Sequence, residues 1–130
     1  MPRIKHIAIR TQDVEKTAAF YRDAFGLKEV GSGQNGIYLS DGHINLAILM
    51  FRRAIDGEPL KLGIDHLGFQ VEDVGATVKK IGNLGGKTLT DRTQIAPSDP
   101  SHPQSYYEVK CVGPDEQVID VSAVGWVGAD

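Results

Sequence analysis

His6-Ile7-Ala8-Ile9-Arg10-Thr11-Gln12-Asp13-Val14-Glu15-Lys16-Thr17 aligns without a gap to His66-Leu67-Gly68-Phe69-Gln70-Val71-Glu72-Asp73-Val74-Gly75-Ala76-Thr77. The stretches agree at His, Asp, Val and Thr and share an apolar pattern between. A duplicated half-module accounts for this. If the halves pack as pseudo-symmetric mates, His6 and His66 take equivalent places, and two equivalent imidazoles are candidate ligands for one metal.

Working outward, residues 4–10 alternate around Ile7 and Ile9 and predict a strand. Asp13 then caps a helix with Val14, Ala18, Tyr21 and Phe25 on one face, and Gly26 ends it. Strands over 28–30, 36–39 and 43–50 follow, separated by turn signals at Gly31-Ser32-Gly33-Gln34-Asn35 and Ser40-Asp41-Gly42. The second half repeats the order: a strand over 66–71, a helix capped by Asp73 with Val74, Val78 and Ile81 inward, a Gly85-Gly86 stop, and strands near 87–90, 106–112 and 117–123. A loop over 91–104, rich in Pro, Ser and Asp, precedes the last two strands and is expected to border the site. The expected fold is α+β: two βαβββ half-modules forming an open, curved, mixed β-sheet barrel with the helices outside. One domain spans 1–130, with half-modules at about 1–51 and 63–126 and a linker at 52–62.

Strand phase selects the side chains that can meet, because residues two apart share a face. With Ile7, Ile9, Leu67 and Phe69 under the helices, His6, Ala8, Arg10, His66, Gly68 and Gln70 face the other way. Ala8 and Gly68 are small and leave room for a cavity; Arg10 and Gln70 are candidates for substrate contact. In the last strand Ile119 and Val121 belong to the core face, which sends Asp120 to the cavity side. A carboxylate among apolar neighbours is costly to bury unless a cation neutralises it. His6, His66 and Asp120 thus form a two-His-one-carboxylate set suited to a divalent metal, Fe, Mn, Ni, Co or Zn. The plainer alternative makes them edge histidines and a surface charge. His43 and His102 fall at a strand start and in the Pro/Ser loop, where a solvated role competes with a site role.

At 130 residues, 41% hydrophobic and 24% charged with a net charge of -3, the chain has the composition of a globular domain and no electrostatic footprint for nucleic acid or membrane. Cys111 is the only cysteine, so no intramolecular disulfide is expected. The first residues lack the apolar core of a signal peptide, and the longest apolar run, 44–51, is interrupted by Asn45. A cytoplasmic location is expected.

The strand His6-Ile7-Ala8-Ile9, the helix start Asp13-Val14 with Phe20-Tyr21 and Phe25-Gly26-Leu27, the strand Asp65-His66-Leu67-Gly68-Phe69, and Gly113-Pro114-Asp115-Glu116-Gln117-Val118-Ile119-Asp120-Val121 together resemble the vicinal-oxygen-chelate superfamily. That group includes glyoxalase I, methylmalonyl-CoA epimerase, extradiol dioxygenases and the fosfomycin- and bleomycin-resistance proteins. The resemblance covers nearly the whole chain. It places Asp120 where relatives carry a metal-binding Glu, with a reach shorter by one methylene.

A second departure bears on chemistry. Glyoxalase I carries a ligand Glu in an Ile-Glu-Leu stretch where this chain has Ile44-Asn45-Leu46, and an amide cannot act as the base of an isomerisation. Asp120, or Glu108, would have to serve. The epimerases have an amide at the corresponding position, so Asn45 is a candidate to bind metal through its carbonyl or to line the pocket. Extradiol dioxygenases place a His and a Tyr near the substrate from the segment before the last hairpin; His102, Tyr106 and Tyr107 occur in that region as candidates for substrate contact and, for Tyr107, catalysis. The resemblance implies a metalloenzyme acting on two neighbouring oxygens of a small oxygenated metabolite, by dioxygenase-type or lyase/isomerase-type chemistry. It also implies a homodimer. The alternative is a metal-free drug-sequestering protein of the bleomycin-resistance type. Whether His6 and His66 meet within one chain or across two is open at this level.

Overall fold

The computed structural model describes residues 1–51, 62–91 and 108–130, without the side chains of Thr90 and Asp91. The first half is β1 (Arg3–Thr11), α1 (Val14–Phe25), β2 (Lys28–Gly33), β3 (Gly36–Ser40) and β4 (Asn45–Met50). The second is β5 (Gly63–Gln70), α2 (Val74–Asn83), β6 (Lys87–Asp91), β7 (Glu108–Val112) and β8 (Val118–Ser122). All eight strands form one open mixed sheet in the order β2-β3-β4-β1-β5-β8-β7-β6. The halves join at its centre, where β1 and β5 run antiparallel; β1–β4 and β5–β8 are the parallel pairs.

Local chemistry sets the helix ends. The Asp13 carboxylate accepts from the Lys16 N–H and the Asp73 carboxylate from the Ala76 N–H, each satisfying a donor that the first helical turn leaves over. Gly26, at φ 70°, turns α1 off in the left-handed conformation that favours glycine, with its N–H on the Arg22 carbonyl. Val14, Ala18 and Tyr21 pack on Ile37, Leu39 and Ile48, but Phe25 is 69% exposed. It sits in the last turn, and its ring contacts Tyr21. The turn expected over 31–35 is shorter: β2 continues through Gly33, pairing with Gly36, and the link is Gln34-Asn35. Backbone pairing needs no apolar side chains, so a Gly/Ser run can still form a ladder. The 52–62 linker reading, apart from Leu62, and the loop reading beyond Asp91 lie outside the described residues.

The two outer-face cores sit under the helices. Beneath α2, Val71, Val74, Val109, Cys111 and Val121 form the buried cluster, with Val78 and Ile81 packed against it. The opposite face of the first half carries a third cluster, Ala8, Tyr38, Ala47 and Leu49, against which Val30 and Val127 pack. Val127 belongs to the segment that follows β8, so that segment returns across the sheet to the first half.

Candidate metal centre

Register places the polar residues in a single row. Ser40 on β3 pairs with Asn45 on β4, Asn45 with His6 on β1, His6 with Gly68 on β5, Gly68 with Asp120 on β8, and Asp120 with Lys110 on β7. Side chains opposite one another across a ladder share a face. His66 enters from the adjacent row, opposite Ala8. The histidines meet within one chain: His6 Nε2 lies 3.1 Å from His66 Nε2, which lies 2.9 Å from Asp120 Oδ2.

The outer ring nitrogens fix the tautomers. Asn45 Nδ2 donates to the Val127 carbonyl at 2.9 Å, so the amide turns its Oδ1 to His6 Nδ1, 2.7 Å away. Nδ1 of His6 is therefore the protonated nitrogen and Nε2 carries the lone pair toward the centre. His66 Nδ1 donates to Asp65 Oδ2 at 2.7 Å, and Asp65 also meets Arg10 Nε at 3.5 Å. These anchors come partly from duplicated bulges. The β1–β5 ladder skips Lys5 on one strand and Asp65 on the other, the residues just before each histidine. A bulge re-aims the extra side chain, which brings Asp65 to the same side as its sequence neighbour His66.

The charges are arranged to match. Burial and the neighbouring His66 lower the His6 pKa to about 3, so His6 stays neutral and accepts a hydrogen bond. Burial also opposes charging of His66, but hydrogen bonds to Asp120 and Asp65 outweigh it and hold its pKa above the ordinary value. Its two ring nitrogens each lie within hydrogen-bond distance of a carboxylate oxygen, Asp65 Oδ2 at 2.7 Å and Asp120 Oδ2 at 2.9 Å, which favours the charged form. Burial works against the charged form of Asp120 as well, yet His66 and Lys110 together keep it ionised well below the usual carboxylate range. Lys110 Nζ donates to Asp120 Oδ1.

The donor set fits a divalent cation. Ligand atoms of His6, His66 and Asp120 all lie within 4.8 Å of one another, and all three residues are buried. Ligands about 2.1 Å from a common ion sit roughly 3.0–3.4 Å apart; the His6–His66 spacing of 3.1 Å falls in that range, the His66–Asp120 spacing of 2.9 Å just below it, and the His6–Asp120 pair lies within the 4.8 Å that bounds the set. Both imidazoles have their second nitrogen held by an oxygen acceptor, the usual support for metal-binding histidines.

Other expected site residues fall elsewhere. Asn45 is fully buried, with both ends of its amide bound to protein, Oδ1 to His6 and Nδ2 to the Val127 carbonyl. Arg10 meets Asp65 and donates to the Met50 carbonyl, and Gln70 donates to the Ala123 carbonyl. Glu108, buried on β7 opposite Ser122, shares the face of Lys110 one pleat repeat away. His43 is exposed. His102, Tyr106 and Tyr107 lie outside the described residues. The room beside Ala8 and Gly68 is not left empty. Val127 packs against the cluster holding Ala8, and a Cβ on Gly68 would lie 2.7 Å from Trp126 ring atoms.

Sequence reading missed Lys110, Asp65 and Trp126. Trp126 stacks on His6 with ring centroids 4.8 Å apart and planes 3° from parallel. It is the only tryptophan, which makes it a reporter. Adding Co(II) to metal-free protein should quench its emission with one-to-one saturation; bound Co(II) without quenching would place the metal elsewhere.

Residues 3–101 match the family model of the Glyoxalase/Bleomycin resistance protein/Dioxygenase superfamily. The chain belongs to this superfamily. Among solved structures, this superfamily member resembles a Streptomyces coelicolor methylmalonyl-CoA epimerase variant in complex with 2-nitronate-propionyl-CoA, at 22% identity and TM-score 0.67, covering 93% of this chain and 97% of that one. It also resembles the 2,3-dioxygenase LapB from Pseudomonas sp. KL28, at 23% identity and TM-score 0.63, covering 98% of this chain but 42% of the dioxygenase. The hypothetical protein BH1468 from Bacillus halodurans C-125 is similar at 15% identity and TM-score 0.63, with 92% of each chain covered. The chain thus spans less than half the length of the dioxygenase. At these identities the likeness is one of fold.

Proposed function

We propose that this chain is a divalent-metal-dependent enzyme that binds two adjacent oxygens of a small oxygenated metabolite at a centre held by His6, His66 and Asp120. The observation that carries the reading is the convergence of two Nε2 atoms and a carboxylate oxygen, with both imidazoles anchored from behind. A cation held there by the two imidazoles and the carboxylate would supply a Lewis acid that stabilises negative charge developing on substrate oxygens. The protein's own part is to hold the lone pairs inward and to accept a proton. Asp120 serves as a ligand in this reading, so Glu108, buried on β7 and sharing the face of Lys110, is the carboxylate we assign as base. With Asn45 in place of a carboxylate on β4, glyoxalase-type isomerisation would depend on Glu108 alone. Oxygen uptake with catechols separates dioxygenase chemistry from proton-transfer chemistry, which exchanges substrate C–H for solvent deuterium.

A second reading, a metal-free binder, draws on the Lys110–Asp120–His66 contacts, which already neutralise the carboxylate without an ion. Metal analysis of protein purified without a His tag decides between them. About one ion per chain supports the enzyme; protein that stays metal-free after loading with Fe(II), Mn(II), Ni(II), Co(II) and Zn(II) supports the binder. No helix among the described residues is long and apolar enough to cross a membrane, and we propose a cytoplasmic enzyme. We also propose a homodimer. Ile4, Ile64 and Leu67 lie exposed on the outer face of the central strand pair, while α1 packs on β3 and β4 and α2 on β6 to β8. Light scattering would measure it.

A further inference from the structure

The segment 123–130 follows the polar row across the sheet. Gln70 holds its start through the Ala123 carbonyl, and Gly125 N–H donates to Ser122 Oγ. Trp126 then lies over Gly68 and stacks on His6, the Val127 carbonyl accepts from Asn45, and the Gly128 carbonyl accepts from Ser40 Oγ at 2.6 Å. The bulged Lys5 reaches the Asp130 carbonyl. A segment contributed by the second half is therefore fastened onto three first-half strands, and two of its residues act on one metal-ligand candidate.

We propose that this segment is a positioning element of the metal centre, with Trp126 and the Val127 carbonyl presetting His6 for a cation, so that segment docking and cation binding reinforce each other. The proposal rests on the metal reading above. Its logic is a relay. The Val127 carbonyl is only an acceptor, so it draws the Asn45 NH2 and leaves Asn45 Oδ1 facing His6 Nδ1. That oxygen requires Nδ1–H, and the tautomer with Nδ1–H is the one whose Nε2 lone pair faces His66 and Asp120. If the segment leaves, the amide is free to rotate and present its NH2 to His6, which selects the opposite tautomer and blocks the lone pair with a proton. While the segment is docked, stacking by Trp126 also holds the ring plane. By reciprocity, whatever the docked segment adds to cation affinity, the cation adds to segment docking.

Gly128→Val gives a direct test. Gly128 has φ 76°, and a Cβ there would lie 2.8 Å from Val30 and 2.9 Å from Ser40, so the variant should lift the segment without touching His6, His66 or Asp120. Three readouts are compared with wild type: hydrogen exchange of amides 124–130, the His6 tautomer from imidazole 15N shifts in metal-free protein, and Zn(II) affinity. We expect faster exchange, a His6 tautomer mixture, and Zn(II) affinity lowered by roughly 10-fold or more, the usual scale for losing a support behind a ligand. Zn(II) should also slow exchange of 124–130 in wild type. Unchanged exchange in the variant would refute the docking, and faster exchange with unchanged tautomer and affinity would refute the coupling. Failure of wild type to bind any of the metals would instead remove the metal reading and this proposal with it. Ser40→Ala, which deletes one anchor without adding volume, should shift all three readouts the same way to a smaller degree; a null result there alongside a global loss of fold in Gly128→Val would count against the proposal.

Discussion

His66→Ala should lower divalent-metal affinity by about 100-fold or more. Structural zinc in small peptides binds with ~10–16 kcal/mol shared over four ligands, so one ligand accounts for about 3 kcal/mol. The expected loss applies equally to His6→Ala and Asp120→Ala, measured by competition against a chelating dye. Asp120→Ala should differ in a second respect. It leaves His66 and Lys110 without the buried carboxylate they share, and breaking such a buried pair from one side costs up to ~3–5 kcal/mol. Lys110 retains 19% exposure and can turn toward water, so the low end is expected for its share. Metal-free Asp120→Ala should therefore unfold at lower urea than metal-free His66→Ala. His43→Ala, at an exposed position, should change neither property. Full metal occupancy in His66→Ala would overturn the assignment.

The grouping of His6, His66 and Asp120 was legible because it depends on strand phase. His6, His66 and Asp120 lie on strands whose alternate residues, Ile9, Phe69, Ile119 and Val121, pack beneath the helices, so one correct face assignment carried all three. The duplication supplied the pairing. What escaped has physical reasons. A charged residue in a strand ordinarily reads as solvated, so Lys110 was passed over even though Glu108, two residues earlier, points the same way. Asp65 precedes His66 and by simple alternation belongs on the opposite face; a bulge, which no composition signal marks, overrides that. Trp126 follows the last strand, where no periodicity fixes a direction, and its seat is made by tertiary packing on Gly68 and His6. Phe25 failed in the other direction. Helical spacing put it on the core face, but in the last turn of α1 it is exposed and touches the ring of Tyr21.

Gly68→Ala should be far more harmful than a single methyl normally is. Its Cβ would lie 2.7 Å from His6 Cβ on one side and 2.7 Å from Trp126 Cη2 and Cζ2 on the other. Neither neighbour is a flexible chain end: His6 is held at Nδ1 by Asn45, and the indole is flanked by the anchored Val127. Overpacking of this kind costs typically ~1–3 kcal/mol, and relief requires moving His6 or lifting the indole. Either movement disturbs the donor spacing, so metal affinity should fall by roughly 10-fold or more along with stability. Gly82→Ala on α2 is the counterpart, since nothing lies within 4 Å of a Cβ there and alanine is the better helix former by about 0.8–1.0 kcal/mol. Urea denaturation should thus give opposite signs for two identical substitutions, destabilising at 68 and stabilising at 82. If Gly68→Ala loses stability yet keeps its metal affinity, the indole yields without consequence for His6, and the stack is packing alone.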